Sequence, residues 1–352
     1  MRPSDGPPLM ARVVMADDGI AFDGGTAEAG PLGGAETAFA ALAAALAGRG
    51  HAVAAHSNCR RKMQHKGVGW APLADGVPDT CDLYIGNRGH RVIGLSPRAR
   101  RRLFWLHNPA RYIRKPRVLC RLAWYRPTFV VTGQYHAATV PGWVPRRGLE
   151  IIPYGVLDQF RRASERQPPP PRAIFTSNPL RGLDWLLDLW TARVAPAVPG
   201  AELHIYTGPA VYPGAKCEAS RRMERVLARA DTLQAHGVRR HEPVGRDELA
   251  RILAGARVML YRGDPGETFC LSLAEAQAMG VPAVVQPIGS VGERINDGCS
   301  GRVARTDKEF AEAAIAVLRD DEVWRRWHRG ALMTQRGLSW DEVAARYEAL
   351  IG

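Results

Sequence analysis

A chain of 352 residues is too long for a single hydrophobic core and fits two domains of about 150 residues each. Its 46% apolar and 24% charged residues are those of a globular protein, and no apolar run approaches the ~20 residues that span a bilayer. The net charge of +13 is concentrated, because residues 83–149 hold fourteen Arg or Lys and no Asp or Glu. Such a field attracts anions: phosphates, acidic lipid or nucleic acid. The first residues contain no apolar signal core, so a cytoplasmic protein is expected. None of the six cysteines forms a Cys-x-x-Cys pair and no His cluster accompanies them, which argues against a zinc site or disulfide framework and for reduced thiols.

In chain order, RVVM at 12–15 predicts a first strand, followed by a glycine-rich loop that ends in Gly33-Gly34. An Ala-rich helix is expected over 35–47, stopped by Gly48 and Gly50. Further strands are expected at 51–55, 81–86, 103–106, 129–132 and 151–152. Residues 161–171, RRASERQPPPP, cannot build a core and read as a stiff linker. The pattern then restarts with strands at 173–175, 202–206, 257–260 and 283–285 and a helix over 183–194. The stretch 320–350, with Trp324, Trp327 and Trp340, reads as helical. Strand, loop and helix in repetition give an α/β protein with parallel sheets and two Rossmann-like halves. Ligands in such sheets bind beyond the carboxyl ends of the strands, which places a site in the cleft between the halves.

The segment GETFCLSLAEAQAMGVP, residues 266–282, carries the most chemistry. Ser272-Leu-Ala-Glu275 matches a capping box, with Gly280 as the C-terminal stop and Pro282 blocking continuation. Capping does not account for Glu267, a carboxylate in a Gly- and Pro-containing loop after a strand, where it aims into the cleft. The N–H groups of residues 268–272 open the helix and suit a diphosphate. Residues 98–126 interleave cations with Trp105, Tyr112, Trp124 and Tyr125. That pattern fits a solvated basic face or an anionic membrane surface. Nucleic acid ranks last, since no nucleic-acid module is present. A nicotinamide-dependent oxidoreductase lacks its Gly-x-Gly-x-x-Gly after the first strand.

Glu267, seven residues, Glu275, then Ala276, Ala278, Gly280 and Pro282 resembles the signature of family 4 glycosyltransferases, the group 1 enzymes with the GT-B fold. Gly33-Gly34, His107-Asn108, Ile152-Pro153-Tyr154-Gly155-Val156, Arg181-Gly182-Leu183 and Ser339-Trp340 fall in that family's order along nearly the whole chain. The resemblance implies an acceptor-binding domain over 1–160, a linker over 161–171, a nucleotide-sugar domain over 172–325, and a C-terminal helix over 326–352 that crosses back. It further implies that Glu267 holds donor-sugar hydroxyls, that Glu275 holds the ribose, and that His107 sits against the sugar. Arg181, the backbone of Thr268, Phe269, Cys270 and Leu271, and the Gly33-Gly34 loop would hold the diphosphate. The implied reaction is retaining sugar transfer from a nucleotide-diphosphate sugar to a sugar or lipid-linked acceptor. The chain has no Asp-x-Asp, so no metal or other cofactor is expected. Two positions depart from the family: Cys270 replaces a glycine, and Thr176 replaces an arginine. These departures support an alternative, a catalytically degenerate relative that binds anionic lipid or nucleic acid through its basic domain.

Overall fold

The computed structural model describes residues 10–208 and 217–352. In chain order the first domain contains β1 (Arg12–Asp17), α1 (Thr26–Ala29), α2 (Gly34–Gly48), β2 (Ala52–Ser57), β3 (Met63–His65), β4 (Val68–Pro72), β5 (Leu83–Asn87), β6 (Arg101–Trp105), α3 (Pro116–Tyr125), β7 (Thr128–Val131), α4 (Gln134–Ala138) and β8 (Gly148–Ile151). Its eight strands run in the order β3-β4-β2-β1-β5-β6-β7-β8. All neighbours pair in parallel except β3 with β4. That antiparallel hairpin was not legible in the sequence. It turns on Lys66 (φ 49°) and Gly67 (φ 75°), a pair of left-handed residues without the usual Asn-Gly signature. β1 is buried from Val13 onward because it has neighbours on both sides.

After the short α5 (Asp158–Arg161) and the proline-rich segment, the second domain contains β9 (Arg172–Phe175), α6 (Leu183–Leu189), α7 (Ala195–Ala197), β10 (Glu202–Tyr206), α8 (Cys217–Thr232), β11 (Val238–His241), α9 (Arg246–Ala254), β12 (Val258–Tyr261), α10 (Leu271–Ala278), β13 (Ala283–Val285), β14 (Gly301–Val303), α11 (Asp307–Arg319), α12 (Asp321–Thr334) and α13 (Trp340–Glu348). Six parallel strands run in the order β11-β10-β9-β12-β13-β14. The single helix expected over 183–194 is α6 followed by a π-helical turn at Trp190–Val194 and then α7. Pro196, which cannot donate a backbone N–H, lies just beyond that turn.

The stretch 320–350 is two helices. The boundary expected after residue 325 falls inside α12, and the crossing back to the first domain occurs at 335–339. There the Val156 N–H donates to Leu338 O at 2.8 Å. A Cβ on Gly155 would lie 2.7 Å from the Trp340 ring, so only glycine lets α13 start this close to the Ile-Pro-Tyr-Gly-Val segment. α13 opens with a reciprocal capping box between Ser339 and Glu342. Its far end is pinned to the first domain by Glu348, which pairs with Arg49 at 2.6 Å and His51 at 3.2 Å. The expected capping box at Ser272–Glu275 does not form. The residue before α10 is Cys270, no side chain caps that helix, and Glu275 is committed elsewhere.

Candidate active site

Parallel strands ending on one side of each sheet leave their C-terminal loops facing a shared cavity of about 250 Å³. Gly33, Gly34, His107, Arg181, Glu267, Thr268, Phe269, Cys270, Leu271 and Glu275 all line it. So do Arg88, Asn108, Tyr154, Thr176 and Arg246, which the sequence did not single out as site residues.

Glu267 reaches this cavity because the loop after β12 folds back on itself. The Asp264 side chain accepts from Gly266 N–H at 2.7 Å, and Asp264 O accepts from Glu267 N–H at 2.9 Å. The Glu267 carboxylate is buried and takes two bonds on Oε2, from the Tyr261 hydroxyl at 2.6 Å and from Arg181 Nη1 at 2.5 Å. Burial alone would lower the Arg181 pKa, but the adjacent Glu267 outweighs it and holds the guanidinium above its ordinary range. Arg181 therefore enters the site as one half of a charge pair. Cys270 sits at the start of α10 in left-handed backbone, φ 63° and ψ 73°, a conformation that costs a residue with a Cβ about 1–2 kcal/mol. This is the position where the related pattern has glycine, so the departure is accommodated by strain and leaves the path of the chain intact. Burial pushes the Cys270 thiol pKa well up, which keeps it protonated.

On the first domain, the register pairs Asp17 with Asn87 and Asn87 with Trp105, two residues before His107. A directed chain of hydrogen bonds results. The Tyr154 hydroxyl bonds His107 Nδ1, His107 Nε2 bonds Asn87 Oδ1, and Asn87 Nδ2 donates to Asp17 Oδ2. Arg88 closes the chain with two bonds of 3.0 Å to Asp17 and one of 2.8 Å to Glu36. Burial, and then the nearby Arg88, lower the His107 pKa well below its ordinary value. The ring is neutral with both nitrogens engaged, so its N–H is on Nε2 and Nδ1 accepts. An imidazole held this way is a fixed wall of the cavity. Gly33 packs against the Glu36 side chain, so a Cβ there, 2.4 Å from Oε2, would make that carboxylate shift.

Glu275 is 1% exposed, and both its oxygens accept from Arg246 Nη1, at 2.7 and 2.8 Å. Burial raises its pKa and Arg246 opposes the rise. Arg246 Nη2 also reaches across the cleft to Leu32 O at 3.4 Å and Thr37 Oγ1 at 3.3 Å. The domains are further joined by Thr268 Oγ1 donating to His107 O at 2.7 Å and Thr132 Oγ1 donating to Thr268 O at 2.8 Å. Thr176 lines the cavity with a buried hydroxyl that has no partner. Two further cations line the same cavity, Arg88 and Arg246, each paired with carboxylates. Nothing local in VGRDEL marks Arg246.

Residues 171–320 match the family model described as Glycosyl transferases group 1. Two curated relatives, both D-inositol 3-phosphate glycosyltransferases, align with it. The one from Nocardioides sp. is 36% identical over 104 residues, 29% of this chain and 22% of the relative. The one from Geodermatophilus obscurus is 31% identical over 224 residues, 58% of this chain and 48% of the relative. The chain thus spans a fifth to a half of the length of these relatives. Among solved structures, sucrose-phosphate synthase from Thermosynechococcus elongatus superposes with a TM-score of 0.72 at 16% identity, covering 96% of this chain and 98% of that one. Anabaena Alr3699/HepE in complex with UDP-glucose superposes with a TM-score of 0.68 at 13% identity over 96% and 98%. The chain therefore has the GT-B fold, and residues 171–320 are similar to the group 1 glycosyltransferases.

Proposed function

We propose that this protein transfers a sugar from a nucleotide-diphosphate sugar to an acceptor hydroxyl, with retention of anomeric configuration and without a metal. The observation that carries the reading is the convergence of Glu267, Arg181, Glu275 and the start of α10 on one interdomain cavity. In the reaction the bond from the anomeric carbon to the diphosphate oxygen breaks with its electrons staying on oxygen. The acceptor oxygen bonds that carbon from the same face, and its proton passes to the departing phosphate oxygen. Glu267 accepts hydroxyls of the sugar and Glu275 those of the ribose. The cation Arg181 and the first N–H groups of α10 stabilise charge growing on the diphosphate. His107, neutral and bonded at both nitrogens, shapes the sugar pocket and is not the proton carrier. UDP-glucose in Alr3699/HepE supports a nucleotide-sugar donor for this cleft.

The test is thermal stabilisation by a panel of UDP-, GDP- and ADP-sugars. One donor at 100 times its Kd is expected to add about 2.7 kcal/mol to the wild type, and Glu275→Ala is expected to lose that shift. No shift from any donor sinks the transferase reading and favours the degenerate relative.

We further propose that the acceptor is presented at an anionic membrane surface, in glycolipid or polysaccharide assembly. Among the described residues no helix is long and apolar enough to cross a membrane. α3 buries Val118 and Leu122 and turns Arg117, Arg121 and Trp124 outward on one stripe, with Trp124 82% exposed. Of the fourteen cations in 83–149, Arg88 and Arg102 are not part of this surface. Arg102 lies between the Tyr84 and Tyr125 rings and donates to Ile93 O and Ser96 O. Ten others, including Arg111, Arg114 and Lys115, are exposed. Binding to phosphatidylserine-containing vesicles is expected to fall at least tenfold between about 0.1 and 0.5 M salt, where the Debye length shrinks well below 10 Å. Equal binding to neutral phosphatidylcholine vesicles overturns the proposal.

A further inference from the structure

Arg246 separates two spaces. On one side is the 250 Å³ cavity that contains Glu267 and Glu275. On the other is a groove of about 560 Å³ between the domains, floored by Ala40, Ala41 and Ala44 of α2 and walled by Gln159 and Glu248. Arg246 lines both. The smaller cavity alone falls below the roughly 300–1,000 Å³ of ordinary small-molecule sites, and a nucleotide sugar belongs at the large end of that range. Arg246 also occupies both oxygens of Glu275 while bridging to Leu32 and Thr37 of the opposite domain.

We propose that Arg246 is a positioning residue that competes with the nucleoside for Glu275, and that its displacement joins the two spaces into one donor groove. This rests on the reading of Glu275 as the ribose carboxylate. In this arrangement the guanidinium satisfies a carboxylate that is buried. An entering nucleoside offers two ribose hydroxyls to the same oxygens, and Arg246 swings away from Leu32 O and Thr37 Oγ1. The Ala floor then receives the flat, uncharged base, and the interdomain bonds of Arg246 are released in the same step. The apparent affinity of the donor is reduced by the fraction of molecules in which Arg246 blocks the carboxylate.

The experiment is calorimetric binding of UDP, GDP and ADP to the wild type, Arg246→Gln and Arg246→Lys, with melting curves to establish the native fold. The diphosphate that binds the wild type is expected to bind Arg246→Gln about tenfold more tightly. Arg246→Lys, which keeps a cation for Glu275, is expected to return towards the wild-type Kd. A merely structural arginine does not produce tighter binding on removal. Unchanged or weaker binding by a natively folded Arg246→Gln overturns the competition while leaving the transferase reading in place. Absence of binding by all three nucleotides to every variant overturns both. Should Arg246→Gln not fold, Thr37→Val removes one cross-cleft acceptor and leaves Glu275 untouched. A gain of about twofold to threefold is expected there, and no gain counts against the proposal.

Discussion

Glu267→Gln is expected to lower sugar transfer by about 10²–10³-fold, the cost of losing one preorganised charged contact to the reacting group. The amide keeps the shape of the carboxylate and still accepts from the Tyr261 hydroxyl, now 2.6 Å from Oε2. It loses the charge that holds Arg181, whose Nη1 lies 2.5 Å away. Arg181 then has no fixed position from which to meet the diphosphate. Because Glu267 and Arg181 are in direct contact, Arg181→Ala and Glu267→Gln are expected to be non-additive, with the double variant only slightly worse than either alone. The measurement is initial rate with the donor identified by the stabilisation panel. A folded Glu267→Gln that keeps more than about a third of wild-type turnover removes Glu267 from the reaction.

Arg257→Ala is expected to destabilise the second domain by about 2–6 kcal/mol, about 1–3 kcal/mol for each of two buried carbonyls that lose their donor. Arg257 is 4% exposed. Its Nε donates to Val317 O at 2.7 Å, its Nη1 to Pro169 O at 2.8 Å, and its Nη2 to Asp321 at 2.6 Å. One side chain thus joins the proline-rich connector, the last turn of α11 and the first turn of α12. Its own carbonyl accepts from Trp324 Nε1 at 2.9 Å, which fixes α12 a second time. Removing the guanidinium strands two buried carbonyls. Asp321 is half exposed, so Asp321→Asn is expected to cost less than about 1 kcal/mol. Denaturant unfolding of both variants checks the ranking, and equal midpoints for Arg257→Ala and Asp321→Asn contradict it.

Arg257 also illustrates what local sequence can reveal. It stands at the edge of an apolar run, and the strand 257–260 was expected there on hydrophobicity, one residue early. The strand is β12, Val258–Tyr261, and the arginine belongs to the preceding turn, where its side chain turns inward to carbonyls 60 and 88 residues away. Nothing in the neighbouring residues announces those partners. The capping box assigned to Ser272–Glu275 failed for the same reason. The spacing suited a cap, but Arg246, 29 residues earlier, lies closer to the buried carboxylate than the helix's own N-terminus does. The box at Ser339–Glu342 did form, on an exposed helix start where Glu342 keeps its bonds to Ser339 although Arg161 Nη2 also lies 3.3 Å from Oε2.

By itself the sequence determined the alternation of strands and helices, the division at the proline run, and the placing of Glu267 and Glu275 around a helix start. These follow from periodicity, from turn residues and from a short motif, all of which act over a few positions. Only the tertiary structure decided which charges meet. Arg181 finds Glu267 across 86 residues, Arg88 finds Asp17 across 71, and His107 is locked between Tyr154 and Asn87. Parallel strands joined by crossovers bring such distant loops to one edge of the sheet. Burial there makes an unpaired charge too costly to leave alone, so each ionised group takes the partner that the fold, and not the neighbouring sequence, sets beside it.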